Sequence, residues 1–410
     1  MWKQPWGYME GAVICLGLFI TGTILQLTVG PVNTILFQFP VNLIFAGIYW
    51  VCMLIMHLNK KRSAIIRWLS GMEASLTAIG AFLLMVLIMG LNKQTPVQSD
   101  IHPDGIVADI GFSQLTSSWS FLLIFLYMVT ILLLTTLRKG LKFKIANIGF
   151  LLNHIGLYVI LWGAILGSGD MQRLHMVAQT GNPEWRASDT MGKISELPLA
   201  IQLEQFTIDE YPPKVMLIDN FTGVSLPNGK PEVLSMENDS LNGKLLDWQL
   251  TGSKYLPRAA WIRGKYVSYQ NEGATAALYV KAKNLKSGAK KEGWVSYGSF
   301  MFPHQALELD NGKSLVMPPC EPKRFASTVT VFTKEGKSIP ATIEVNKPLK
   351  VNGWKIYLLG YDESRGRWSK TCTFELVKDP WLPVVYTGIV LMLAGAFHLF
   401  LFTKTRRKKI

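Results

Sequence analysis

FLLNHIGLYVILWGAILGSGD, residues 150–170, is the stretch that decides how this chain reads. Residues 150–167 are apolar over about 27 Å of helix, close to the ~30 Å thickness of a bilayer's hydrocarbon core. Yet the run carries Asn153 and His154 well inside it. A histidine in lipid is costly and calls for a partner. His154 lies roughly 10 Å into the span, counted from Asn147 at 1.5 Å per residue. Tyr158 follows four residues on and Trp162 eight, so the three share one helix face. Gly149, Gly156 and Gly163 recur every seven residues on another side, and Gly163 with Gly167 forms a GxxxG pair. Such a stripe of small residues permits close helix contact. An imidazole on one face and close packing on another suit a flat, apolar, metal-bearing ligand. They equally suit a histidine hydrogen-bonded to a neighbouring helix.

Working outward, five more apolar runs appear. Together the six lie near 11–30, 40–58, 69–91, 118–136, 146–167 and 382–402. The chain has 410 residues, 49% hydrophobic, with a mean hydropathy of +0.23. This composition indicates a polytopic membrane protein. A net charge of +14 raises nucleic acid as a partner, but its placement argues otherwise. Outside 168–381, every basic residue except Lys93 falls at alternate ends of the six spans. The positive-inside rule then puts both termini in the cytoplasm and residues 168–381 outside. That long segment holds 27 basic and 23 acidic residues, so most of the excess charge is topology signal. The lipid bilayer is the partner this implies, and nucleic acid is not. The Lys404–Lys409 run reads as an anchor for the last span. The first span, with one lysine and Glu10 ahead of a long apolar run, reads as a retained anchor rather than a cleaved signal.

The expected fold is therefore a polytopic α-helical membrane protein of six transmembrane helices. A large β-rich extracytoplasmic domain sits between helices five and six. LAIQLEQFTIDEY, STVTVF, ATIEVN, WKIYLLGY and TCTFELV alternate or are dense in β-branched and aromatic residues. Turn formers such as LPNGKP, KEGKS and DESRGR separate them. The expected divisions are a transmembrane hairpin at 1–60, a three-helix membrane core at 64–167, the outer domain at 168–381, and a last helix with basic tail at 382–410.

Several catalytic signatures are missing: Walker A, a GxGxxG after a strand, HExxH, CxxC and CxxCH. No residue reads as catalytic. Of the other histidines, His57 and His398 end their spans beside basic residues and read as interfacial. His102 and His304 read as surface or turn residues, and His175 follows span five at the outer membrane surface. Glu73, near the start of span three, reads as paired with a base or reaching the interface. Cys15 and Cys52 read as small apolar packing residues. Cys320 and Cys372 share the outer domain, where an oxidising compartment would allow one disulfide or exchange with a thioredoxin-like thiol reductant. Spacing does not fix their separation.

Several segments resemble one family. RWLSGMEASLTAIGAFLLMVLIMGLNKQ, SSWSFLLIFLYMVTILLLTTLRKG and LLNHIGLYVILWGAILG are similar to the first three spans of ResB/CcsB proteins, membrane subunits of System II cytochrome c maturation. LPLAIQLEQFTIDEYP resembles the opening of that family's outer β domain. IEVNKPLKVNGWKIYLLGYDE followed by VKDPWLPVVYTGIVLMLAG resembles its passage into the last span and is the most specific match. The resemblance runs from about residue 64 to the end, weakly over 220–320, and leaves spans one and two as an addition.

The resemblance implies residence in the bacterial cytoplasmic membrane and work with a CcsA-type membrane subunit. Together they would carry haem across the membrane and join it to the CxxCH cysteines of apocytochrome c. In fused members a histidine of this span, with one from the CcsA-like half, is thought to ligate haem. His154 occupies the matching position, with Tyr158 and Trp162 beside it as candidate haem contacts. The tryptophan-rich haem motif of the CcsA partner has no counterpart here, so the chain alone does not read as a complete synthase. Two other readings remain: a non-haem scaffold that stabilises the CcsA-type partner and docks apocytochrome, and a transporter of another solute. The latter lacks an inverted repeat or paired broken helices.

Overall fold

A computed structural model describes residues 2, 4–33, 37–95, 104–140, 147–310 and 312–402. Lys3, Asp100, His102, Lys142, Lys144 and the Lys404–Lys409 run lie outside these residues. The chain divides into two compact units: residues 1–173, 189–193 and 377–410 form the first, and residues 174–188 and 194–376 the second.

The first unit is helical. Its helices are α1 (Tyr8–Val29), α2 (Val41–Leu58), α3 (Ala64–Leu69), α4 (Met72–Leu91), α5 (Ile106–Asp109), α6 (Trp119–Gly140), α7 (Ile148–Gly167) and α8 (Leu382–Phe402). Six of them, all but the short α3 and α5, are long and apolar enough to cross a membrane, and they match the six apolar runs. Their order, five helices before the β-rich segment and one after it, is the order expected.

α6 is the central helix. It alone has half of its most apolar window buried, and Ile124, Phe125, Val129, Leu133 and Leu134 are enclosed along it. α1 and α4 pack on one side of it, α2 and α7 on others. α1 approaches closely because Gly22 lies on the backbone of Ser120, where a Cβ would come within 2.5 Å of the Ser120 amide nitrogen. Thr23 and Ser120 share a 3.1 Å hydrogen bond across the same contact, and Trp119 Nε1 donates to the Gly30 carbonyl at 3.0 Å. Internal bonds of this kind satisfy polar groups that lipid cannot.

α7 and α8 form the tightest helix pair. The glycine stripe of α7 meets α8: a Cβ on Gly156 would stand 2.5 Å from the Met392 amide, and one on Gly388 would stand 2.8 Å from the Gly156 carbonyl. Gly395 lies against the Asn153 backbone in the same way, and Asn153 Nδ2 donates to the Met392 carbonyl at 3.4 Å. At the far end Gly167 receives the Trp381 side chain, 2.5 Å from where its Cβ would be.

One carboxylate ties that far end together. Asp170, just past α7, accepts three short hydrogen bonds, each 2.7 Å: from the Phe39 amide at Oδ1, and from Asn42 Nδ2 and Trp381 Nε1 at Oδ2. Asn42 is fully buried and also donates to the Leu166 carbonyl at 3.1 Å. Burial opposes ionisation of Asp170, but the three donors outweigh it and hold the carboxyl below its ordinary value.

The second unit is β. An eight-stranded sheet runs in the order Ser338–Glu344, Pro322–Thr333, Ile194–Glu210, Pro183–Ser188, Gln172–Gln179, Thr371–Lys378, Trp354–Tyr361, Leu349–Val351. Its two edge strands are consecutive in the chain, joined only by residues 345–348. Laid flat, eight strands would separate those edges by about 34 Å. Five residue steps from Glu344 to Leu349 span at most about 18 Å. The sheet is therefore rolled, and its interior is one apolar core. Leu197, Leu199, Ile201 and Leu203 enter it at alternate positions of one strand, and Cys372, Phe374 and Leu376 do so from another.

A five-stranded and a four-stranded sheet share a second core, in which Leu250, Val280 and Val295 meet Val215, Leu217 and Leu315. The loop 362–370 reaches from the rolled sheet to this second core's side. Arg365 and Lys370 both pair with Glu272, at 2.8 and 2.7 Å, and Trp368 Nε1 donates to the Ala274 carbonyl at 3.1 Å.

Two outcomes follow from this packing. Gly156→Leu forces α7 from α8 and costs on the order of 3 kcal/mol, read as an earlier unfolding midpoint in detergent; Gly80→Leu, where a Cβ would meet open space, leaves the midpoint unchanged. Asp170→Ala removes the three-donor tie and costs about 2 kcal/mol at pH 7. Because the folded carboxyl titrates below its ordinary 3.8, the tie is fully present above that pH. It is lost as pH falls through the lower folded value, so the gap between wild type and variant closes only in acid.

Candidate functional site: His154 and the aromatic groove

α7 begins after Asn147 and continues without interruption past its histidine, because a histidine that bonds back within its own helix leaves the helical ladder intact. His154 Nδ1 lies 3.0 Å from the Phe150 carbonyl oxygen, one turn earlier. A carbonyl only accepts, so Nδ1 carries the proton and Nε2 keeps its lone pair. The ring is half-buried and stacks on Phe150 with centroids 3.6 Å apart and planes at 28°. Phe150 in turn carries the Lys139 ammonium, 3.6 Å from its ring centre. A backbone acceptor on one nitrogen that orients the other is the arrangement that holds metal-ligating histidines.

Tyr158 and Trp162 are both buried, at 5% and 7% exposure, and line an apolar groove of about 700 Å³. Its walls come from α2 (Trp50), α6 (Leu133, Thr136, Leu137), α7 (Leu151, Ile155) and the entrance to α8 (Trp381, Val384). The volume falls in the range of small-molecule pockets. The Tyr158 hydroxyl and Trp162 Nε1 are buried there without a hydrogen-bond partner among the described residues. His154 is not among the groove-lining residues; it stands on the flank one turn from Tyr158. The face expected to carry all three side chains is thus split between a flank and a groove.

The N-terminal hairpin lines the groove with Trp50 and backs its Trp162 wall with two further rings. Tyr49 and Phe45 of α2 stand 4.6 and 6.1 Å from the Trp162 ring centre, and Trp50 meets Tyr158 edge-on at 5.7 Å. Tyr49 also bonds Thr130 of α6 at 3.0 Å. Nothing in the sequence of α2 marked these residues as site-forming, since aromatics are common in spans. Asp170 was likewise missed, although an acid three residues beyond a span is a visible signal.

The other histidines are dispersed. His57 ends α2, buried, with Lys60 Nζ 2.6 Å from its Nε2. His304 is exposed, and His175 Nε2 lies 3.8 Å from Glu375. Among the described residues no group of three or more His, Cys, Asp or Glu side chains could hold a bare metal ion.

Of the possibilities left open for Cys320 and Cys372, the structure does not form the disulfide: both are free thiols. Cys372 is sealed inside the rolled sheet, where it shares a 3.3 Å hydrogen bond with Ser327 and burial pushes its pKa up to about 11. Cys320 instead lines a cleft with Tyr255, Glu210 and Arg367, and burial raises its pKa against the opposing pull of Lys214. Alkylation without reductant labels Cys320 slowly in the folded protein and both cysteines once it is unfolded. Protection of both after unfolding would restore the disulfide.

The ResB-like family model matches residues 272–374, which includes residues 343–363 of the segment read above as most specific and both partners of the Glu272 ion cluster. The match also takes in part of the stretch that read as weak. A cytochrome c biogenesis protein CcsB from Picosynechococcus sp. is 24% identical over 262 residues, covering 63% of this chain and 50% of that protein. The chain thus spans about half the length of the curated relative it matches. Six apolar helices in the anticipated order, the β-rich segment between the last two, and these matches bear out the resemblance to the ResB/CcsB family.

Proposed function

We propose that this protein acts in cytochrome c biogenesis as the ResB-like subunit of a haem-attachment complex. It works with a CcsA-type membrane partner, and haem is its cargo. His154 supplies an axial ligand to the haem iron inside the membrane. The outer β domain positions the partner or the apocytochrome whose CxxCH cysteines receive the haem vinyl groups. The alternating distribution of basic residues supports cytoplasmic termini and an extracytoplasmic β domain in the bacterial inner membrane.

The observation that carries this reading is the state of His154. Its Nδ1 proton is given to its own helix, and Nε2 keeps a lone pair on a half-buried flank. One imidazole is too few for a bare ion. It suffices as an axial ligand to an iron whose equatorial positions a porphyrin fills. The flank position, outside the groove lining, suits a ligand shared with a second membrane subunit. The buried Tyr158 hydroxyl and Trp162 Nε1 next to it offer donors to polar groups of that ligand.

The test is the absorption spectrum of the chain purified with its CcsA-type partner. Wild type shows a haem Soret band. His154→Ala loses most of it and recovers it on addition of imidazole. Haem retained equally in both would leave His154 as a packing residue and favour the scaffold reading.

A further inference from the structure

Lys139 closes α6, where a cation complements the helix dipole. That explains its presence at the helix end but not its position. Its ammonium lies 3.6 Å from the centre of the Phe150 ring, and the His154 ring centre lies 3.6 Å from the same point. An ammonium and an imidazole cannot both occupy one face of a ring at that distance, so they take opposite faces. Phe150 therefore positions both groups, and its carbonyl also holds the His154 Nδ1 proton. Among the described residues Lys139 rests on this ring and joins no carboxylate.

From this column we infer that Lys139 recognises the acidic edge of the ligand bound at His154, taking a carboxylate of an iron porphyrin. The inference rests on the haem reading above and adds the residue that reads the cargo's charge. A cation on an aromatic face gains a modest electrostatic attraction to the ring. A charge-assisted bond to a carboxylate in a partly desolvated site is worth at least as much. The ammonium can therefore exchange one for the other at little cost. The flexible four-carbon stem of lysine allows the movement, and Phe150 holds the charge near the ligand site beforehand. A lipid phosphate offers the same anion chemistry at this end of the helix and is the competing source.

The two sources separate by esterifying the ligand. The complex with its membrane partner, in lipid nanodiscs, is titrated with haem and with haem dimethyl ester, and Soret changes give both affinities. Wild type prefers haem by about tenfold, one charge-assisted contact's worth. Lys139→Gln brings the two ligands to within about twofold, and Lys139→Arg keeps the preference. Three results overturn the proposal: no preference in wild type, an unchanged preference in Lys139→Gln, or an equal loss for both ligands in Lys139→Gln. The last assigns Lys139 to lipid or to folding. His154→Ala is titrated in parallel. If it keeps the wild-type spectrum, the ligand reading itself fails, whereas the Lys139 result is read as a ratio in His154-intact protein.

Discussion

The contact between α7 and α8 is the constraint on which the membrane unit depends. Two helices that touch through backbone atoms at Gly156 and Gly388 cannot rotate independently. At 100° per residue, placing the glycine stripe of α7 on α8 fixes where every other α7 side chain points. Ile155, Tyr158 and Trp162 are turned into the groove, and Phe150 and His154 onto the flank beyond it. Trp381 and Asp170 lock the register at one end, through Gly167 and the bonds to Asn42 and Phe39. The small residues set the orientation of the groove and flank residues.

The N-terminal hairpin gains a role in the same terms. It lies outside the resemblance, yet α2 lines the groove with Trp50 and packs Phe45 and Tyr49 on the Trp162 ring. α1 packs on α6 through Gly22 on Ser120 and on α4 through Gly11 on Thr77. The hairpin is thus part of the bundle's packing and of its groove, and Asp170 bonds it directly to the ends of α7 and α8.

The spans were legible because lipid demands long apolar runs, and no other pattern satisfies that demand. The β unit was legible from alternation, as in the Leu197, Leu199, Ile201, Leu203 series. The glycine stripe announced a close contact but not its partner, because a heptad of small residues does not say which helix it meets. The rolled sheet was hidden, since it follows from strand order and not from any one strand. Whether Cys320 and Cys372 pair was hidden for the same reason: the spacing of two cysteines along a chain says little about their spacing in a fold. His154 was visible as an anomaly in an apolar run. Its flank position, its Phe150 acceptor and its Lys139 neighbour required coordinates.

What distinguishes His154 from an ordinary buried histidine is the division of labour between its nitrogens. One is satisfied by the helix that carries it, and the other remains available at a half-buried surface. The most direct test is a side-chain-resolution structure of the chain with the proposed CcsA-type partner, loaded with haem. The account predicts iron within bonding distance of His154 Nε2, with Nδ1 still donating to the Phe150 carbonyl. Iron ligated wholly by other residues, with His154 unchanged beside it, would contradict the account.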